Sequence, residues 1–204
     1  MITIQKVIDK DLDDIVKIHK AAFPDFFLTN LGSGFLRLYY KCMAHSNNAI
    51  TICAMQDGKV IGFSASSYLS HGFNKSLIKC NLMAFGLMAI KLLFKNPQTI
   101  LRIIKNLDKR ASNNMDDDGS YAELYSIAVL PECQGLGVGR LLLIKTEEEV
   151  TEHNSRLSLT TDYFNNDKTI AFYRRLGYKE FYDFIAYPNR RMWRMIKNLN
   201  NSIE

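Results

Sequence analysis

Three glycines stand at alternate positions in Gln134-Gly135-Leu136-Gly137-Val138-Gly139-Arg140, which follows the largely apolar run Leu124–Leu130 after Pro131-Glu132-Cys133. Beyond them Leu141, Leu142 and Leu143 resume an apolar pattern, so the segment reads as a turn between a buried strand and a helix. A helix start offers N–H groups without carbonyl partners and the positive end of the peptide dipole. Glycine lets the backbone approach a bulky anion and adopt left-handed angles. Together these make a cradle for phosphates. Two common phosphate patterns do not fit. The P-loop needs Lys-Ser or Lys-Thr after its last glycine, where this chain has Arg140-Leu141. The dinucleotide fingerprint needs glycine or alanine where Leu142 stands.

The turn does match the pattern Gln/Arg-x-x-Gly-x-Gly/Ala, and Ile127-Ala128-Val129-Leu130-Pro131-Glu132 leads into it. A second segment, Asn166 through Tyr173 to Gly177-Tyr178, follows in the order Asn-x-x-Ala-x-x-x-Tyr-x-x-x-Gly-Phe/Tyr, with Thr169 in place of the alanine. In both motifs the chain resembles the GNAT superfamily of N-acetyltransferases. The resemblance is strong over about Tyr121–Tyr178 and follows the element order over nearly the whole chain. It implies an α/β (α+β) GNAT fold: a central, mixed, mostly antiparallel twisted sheet of about seven strands, splayed at the cofactor cleft and flanked by helices, with a helical insertion before the fourth strand. It also implies an acyl-CoA-dependent N-acyltransferase using acetyl-CoA as co-substrate.

The resemblance assigns roles residue by residue. The backbone of Ile127, Ala128 and Val129 would meet the pantetheine arm like a strand partner. The N–H groups of Gly135, Leu136, Gly137, Val138, Gly139 and Arg140 would hold the pyrophosphate, with Gln134 shaping the turn. Asn166 would contact the cofactor arm besides capping its helix. Tyr173 would sit beside the thioester sulfur. A phenol, with a pKa of about 10, can hand a proton to a departing thiolate while staying neutral at neutral pH. A protonated amine cannot attack, so a base must act on the acceptor. Glu123 matches a base position in the histone-acetylating branch; Tyr125, Ser126 and a water wire are alternatives. Phe27 and Leu28, in the aromatic segment after Pro24, and Tyr125 would line the acceptor site. His19, His45, His71 and His153 show no partnered spacing.

These groups need a frame to hold them. Ile2–Val7 reads as a strand, with Asp9 capping a helix to about Ala22. A second helix starts at Thr29 or Ser33. Ala49–Met55 and Lys59–Ser67 flank Asp57-Gly58, a strong hairpin signal. Tyr121–Leu130, Leu157–Thr161, Tyr178–Tyr187 and Met192–Ile196 complete the strands. Gly137–Val150 and a short helix from Asn166 to before Gly177 lie between them. Tyr68–Asp118 interrupts this rhythm and reads as two inserted helices: Leu77–Phe94, apolar nearly all round, and a second opening at Asn96-Pro97, with Ile100, Ile103, Ile104 and Leu107 on one face.

The chain has 204 residues and an ordinary globular composition, so one domain over 1–204, with the insertion at 68–118, is expected. Four cysteines without Cys-x-x-Cys or Cys/His spacing argue against a zinc site and a disulfide framework, and no metal is expected. No secretory signal is read in the first residues, so a cytoplasmic location is expected. Net charge is +5, yet Tyr68–Met115 alone holds eight Lys/Arg against Asp108. That excess would favour an acidic acceptor, such as a nucleotide-linked amino sugar. The apolar, Lys-containing insertion stays open to three readings: packing on the sheet or as an acceptor lid, a homodimer interface, or contact with an anionic membrane surface. Nucleic acid is not an expected partner, because the basic residues lack interleaved aromatics. The function expected is acetyl transfer to a primary amine of a small molecule, such as an amino sugar, by direct attack in a ternary complex. A protein amine as acceptor, or a CoA-binding module without catalysis, is the alternative.

Overall fold

The structure is a computed structural model and describes residues 1–95, 117–186 and 189–199. Seven strands form one sheet in the order β1-β2-β3-β4-β5-β7-β6. They are β1 (Ile2–Lys6), β2 (Ala49–Gln56), β3 (Lys59–Ser67), β4 (Ala122–Val129), β5 (Arg156–Asp162), β6 (Lys179–Ala186) and β7 (Arg190–Asn198). All neighbours pair antiparallel except β4 and β5, which are parallel. The expected mixed, mostly antiparallel sheet is therefore present. The β2–β3 turn at Asp57-Gly58 has positive φ at both residues (50° and 76°), as a tight hairpin between twisted strands requires.

The helices among the described residues are α1 (Leu12–Ala22), α2 (Phe27–Asn30), α3 (Ser33–Ala44), α4 (Phe73–Cys80), α5 (Leu82–Lys95), α6 (Val138–Thr151) and α7 (Asp167–Arg175). On one face of the sheet Leu12, Ile15, Leu36, Tyr40 and Met43 of α1 and α3 pack on Phe63 and Ala65 of β3. On the other, Val138, Leu142 and Leu143 of α6 and Ile170 and Tyr173 of α7 pack on Leu124, Leu157 and Leu159. The sheet is thus covered on both sides, and β4 and β5 lie at its centre.

Local chemistry shifts several expected boundaries. Asp9 does not cap α1. A single 3-10 turn spans Asp9–Asp11, and the buried Asp11 carboxylate accepts from the Ile8 N–H at 3.1 Å. Phe27–Asn30 is one helical turn, not an open loop; the Thr29 hydroxyl donates to the Phe23 carbonyl at 2.6 Å. The expected Leu77–Phe94 helix is broken at Asn81, whose side chain donates to the Leu77 carbonyl at 2.9 Å and competes with the backbone ladder. The helix expected from Asn96-Pro97 lies outside the described residues. α7 ends in a Schellman motif. Gly177 at φ +90° donates to the Arg174 carbonyl, and the Tyr178 N–H reaches back to the Tyr173 carbonyl.

Candidate functional site

The site begins with a failure of pairing. β4 and β5 are matched only over Ala122–Leu124 and Leu157–Leu159. Beyond Leu124 the two strands part. The Leu130 N–H donates to the Ile61 carbonyl of β3, and Leu130 and Ile61 continue the register in which Ala128 faces Phe63 and Val129 faces Gly62. Antiparallel alternation then turns the N–H and C=O groups of Ile127 and Val129 away from β3, toward the opening. Ala128 points its backbone at β3 but still borders the gap.

That opening is a groove of about 970 Å³. Its floor is β4 from Leu124 to Val129, and one wall is β5 from Leu159 to Asp162. At one end lie Gln134, Gly135, Gly137, Val138, Gly139 and Arg140. Gly135 and Gly137 have φ of +78° and +80°, angles that side-chain-bearing residues resist. Gly137 is the N-cap of α6, so the first-turn N–H groups point out of the helix end. An extended arm carrying amide groups along β4 and a diphosphate at α6 match the two ends of this groove in shape and hydrogen-bonding chemistry. Leu136, by contrast, is an exposed side chain off the groove lining.

Tyr173 of α7 is buried and borders the groove, with its hydroxyl making no hydrogen bond among the described residues. Burial pushes its phenol up, so it remains a proton donor. Asn166 occupies the N-cap position, and its carbonyl accepts from Ile170 N, but its side chain does not cap. It donates instead to Thr161 Oγ1 (2.6 Å) and the Asp162 carbonyl (3.0 Å), tying α7 to the end of β5.

A bulge in β4 sets up the opposite side. Ala65 faces Ser126 while Ser66 faces Leu124, so Tyr125 is the extra residue. Tyr125 and Ser126 both contact the α1–α3–α4 side of the sheet: Tyr125 stacks on Phe73 at 5.5 Å, and Ser126 accepts from Tyr40 at 2.9 Å. Behind Tyr125 lies a second cavity of about 330 Å³, which meets the groove at Phe26, Tyr125 and Thr160. Phe27 and Leu28 line this chamber, as does Glu123.

Glu123 is 1% exposed and sits in a buried network. One carboxylate oxygen accepts from the Ser70 hydroxyl and the other from Arg194 Nη1 at 3.4 Å. Arg194, also 1% exposed, donates to Ser158 Oγ (3.0 Å) and the Tyr182 hydroxyl (3.0 Å), and its Nε lies 3.7 Å from Asp117. Tyr121 and Tyr182 both donate to Asp117. Burial is the main cause that raises both phenols, Tyr182 to about 12. Arg194, Asp117, Ser70 and Ser158 were not expected site residues. The sequence signal for Arg194 was a lone charge inside each of the expected strands Tyr121–Leu130 and Met192–Ile196, since such charges are buried only as partners.

The histidines do not form a catalytic set. His19 is buried, bonds Tyr40 at 2.7 Å, and is pushed down to about 4 by burial. His45 pairs with Asp9, His71 meets the Asp118 carbonyl, and His153 stacks on Tyr68. Lys75 and Lys79 of the basic segment are exposed and do not line the chamber. No helix among the described residues is long and apolar enough to cross a membrane.

A family model described as the acetyltransferase (GNAT) family matches residues 12–178. A search of curated proteins gives no match. Among solved structures the chain is similar to the ribosomal-protein-S18-alanine N-acetyltransferase of Escherichia coli, at 17% identity and TM-score 0.61 over 98% of this chain and 94% of that one. It is also similar to aminoglycoside 6'-acetyltransferase type Ii, at 14% identity and TM-score 0.60 over 97% of each chain. A third similar structure is yncA of Salmonella typhimurium with its cofactor acetyl-CoA, at 14% identity and TM-score 0.60 over 100% and 96%. At these identities the likeness is one of fold.

Proposed function

Since the chain belongs to the GNAT acetyltransferase family, whose members are acyl-CoA-dependent N-acetyltransferases, we propose that it acetylates a primary amine of a small molecule by direct attack in a ternary complex. The observation that carries this reading is the meeting of two cavities along β4, at Phe26, Tyr125 and Thr160. Acetyl-CoA supplies an activated acyl group and a thiolate leaving group. The open backbone of Ile127 and Val129 would orient the arm, and the N–H groups of Gly135–Arg140 would hold the pyrophosphate. Asn166 would act on the arm indirectly, by fixing where β5 and α7 meet. Tyr173 would donate a proton to the leaving sulfur.

Glu123 would draw the proton from the acceptor ammonium, through water where the amine does not reach it. Its position supports this in one respect. Arg194 is shared between Glu123 and Asp117, so neutralising Glu123 leaves the guanidinium with a carboxylate partner. A buried arginine stripped of its only anion would oppose that step strongly. The free cysteines fit the reducing cytoplasm we assign to the protein.

The test is acetyl-CoA turnover over a panel of amines, read as free thiol release alongside mass detection of acetylated amine. Thiol release without an acetylated product, or CoA binding without any transfer, sinks the catalytic reading.

A further inference from the structure

We infer that the acceptor is a monoamine carried on an apolar aromatic or aliphatic body, held in the chamber that α4 and α5 roof over; this rests on the acetyl-transfer reading above.

The chamber has a polar end and an apolar end. The end that meets the groove carries Thr160, Glu123 and the arginines Arg190 and Arg194. The far end is built from Leu31, Phe35, Leu77, Ile78 and Phe85, with Asn74 beside them. Phe35 and Phe85 meet edge-to-face at 6.0 Å, which closes α5 onto α3. A nitrogen placed at the junction with the groove therefore leaves the rest of its molecule among hydrocarbon. Sugar hydroxyls there would lose more water contacts than Asn74 and Tyr39, the polar side chains beside that end among the described residues, could replace, a cost that apolar carbon does not carry.

Charge narrows the class further. Arg190 pairs with Asp162 and lies 4.1 Å over the Phe26 ring. Arg194 is shared by Glu123 and Asp117. Among the described residues each guanidinium thus has a carboxylate partner, and Glu123 is the one carboxylate that lines the chamber, which offers a single ammonium one anionic partner. A polyamine would bring further cations with no second carboxylate in the described lining to meet them. The size, about 330 Å³, lies at the lower end of small-ligand cavities and suits one ring or a short chain.

The experiment has two arms on the full-length protein. In the first, kcat/KM is measured at saturating acetyl-CoA for phenethylamine, hexylamine, glucosamine, spermidine and an alanine-terminated peptide. Phenethylamine and hexylamine should exceed the others by roughly 100-fold or more. A preference for glucosamine, spermidine or the peptide overturns the inference and leaves acetyl transfer standing. In the second arm, phenethylamine binding to the CoA-loaded protein is followed by calorimetry. Binding without transfer upholds the chamber's ligand class while the catalytic reading fails; no binding overturns the inference. Ile78→Trp, which fills the far end, should shift preference toward shorter amines, and Ile78→Ala toward bulkier ones such as tryptamine. Opposite shifts with unchanged CoA affinity cannot come from loss of folding. An unchanged size preference in both variants overturns the inference.

Discussion

The two sides of β4 are built from different materials. The groove side offers backbone: strand groups turned outward beyond Leu124, then a glycine turn whose residues are largely exposed. The chamber side offers side chains: apolar walls and a buried ionic network through Glu123, Arg194 and Asp117. A backbone site binds what many sequences can bind, because it asks only for particular angles. A side-chain site selects, because each wall residue changes what fits. The division suits an enzyme with one constant co-substrate and one particular acceptor.

Substitutions on either side should therefore separate stability from cofactor binding. The largest effect is expected from Arg194→Met. It leaves Glu123 and Asp117 buried without their cation and should cost about 3–5 kcal/mol in denaturant unfolding. CoA affinity of the folded fraction should stay within about twofold, since Arg194 does not border the groove. Matching losses in both would erase the distinction between the two sides.

Next in size is a pH effect on the α1–α3 side. His19 is held neutral, with its pKa lowered from 6.5 to about 4 in the folded chain. Between these values the unfolded chain binds the proton and the folded chain does not, so stability falls as pH drops from about 6.5 toward 4. Above 6.5 His19 contributes no pH dependence. The full loss is roughly 3 kcal/mol, and His19→Phe should flatten the curve of unfolding energy against pH in that window.

Tyr173→Phe comes third. It keeps the ring in the core and removes the hydroxyl, so kcat should fall roughly 100-fold with little change in CoA affinity. A rate within about threefold of the parent would remove Tyr173 from the chemistry. The smallest effect is expected from Gly137→Val. A branched residue at φ +80° costs about 1–2 kcal/mol, and the disturbed turn should weaken CoA binding roughly tenfold. Here the loss should appear in CoA affinity and not in the amine preference, the reverse of the Ile78 variants.

The same division explains what the sequence revealed. The β4 floor and the glycine turn of the groove were legible because they are consecutive: strand, turn and helix start occupy residues 122–140, and local spacing alone describes them, whereas the β5 wall comes from elsewhere in the chain. The hairpin at Asp57-Gly58 and the helix end at Gly177 were legible for the same reason. The chamber was not, because its wall comes from segments as far apart as Phe26 and Arg194. Phe27, Leu28 and Tyr125 were named from the family pattern, yet nothing in their spacing pointed to Leu77, Ile78 or Phe85. The excess positive charge of the insertion pointed toward an anionic acceptor; Lys75 and Lys79 face solvent, and its remaining cations lie outside the described side chains. Asn166 carried two possible uses of one amide, and only the fold decided that it reaches Thr161 and not the helix start.

The three matched residues between β4 and β5 have a mechanical meaning. Among the described residues these three pairs are the only ladder joining the β1–β4 leaf to the β5–β7–β6 leaf within the sheet. Arg194 crosses that spine just where it closes, bonding Glu123 of one leaf and Ser158 and Tyr182 of the other. An arm lying against Ile127 and Val129 would stitch the rest of the seam. The protein would then gain cohesion between its halves each time the co-substrate enters, and hydrogen exchange along β5 would report when the book is shut.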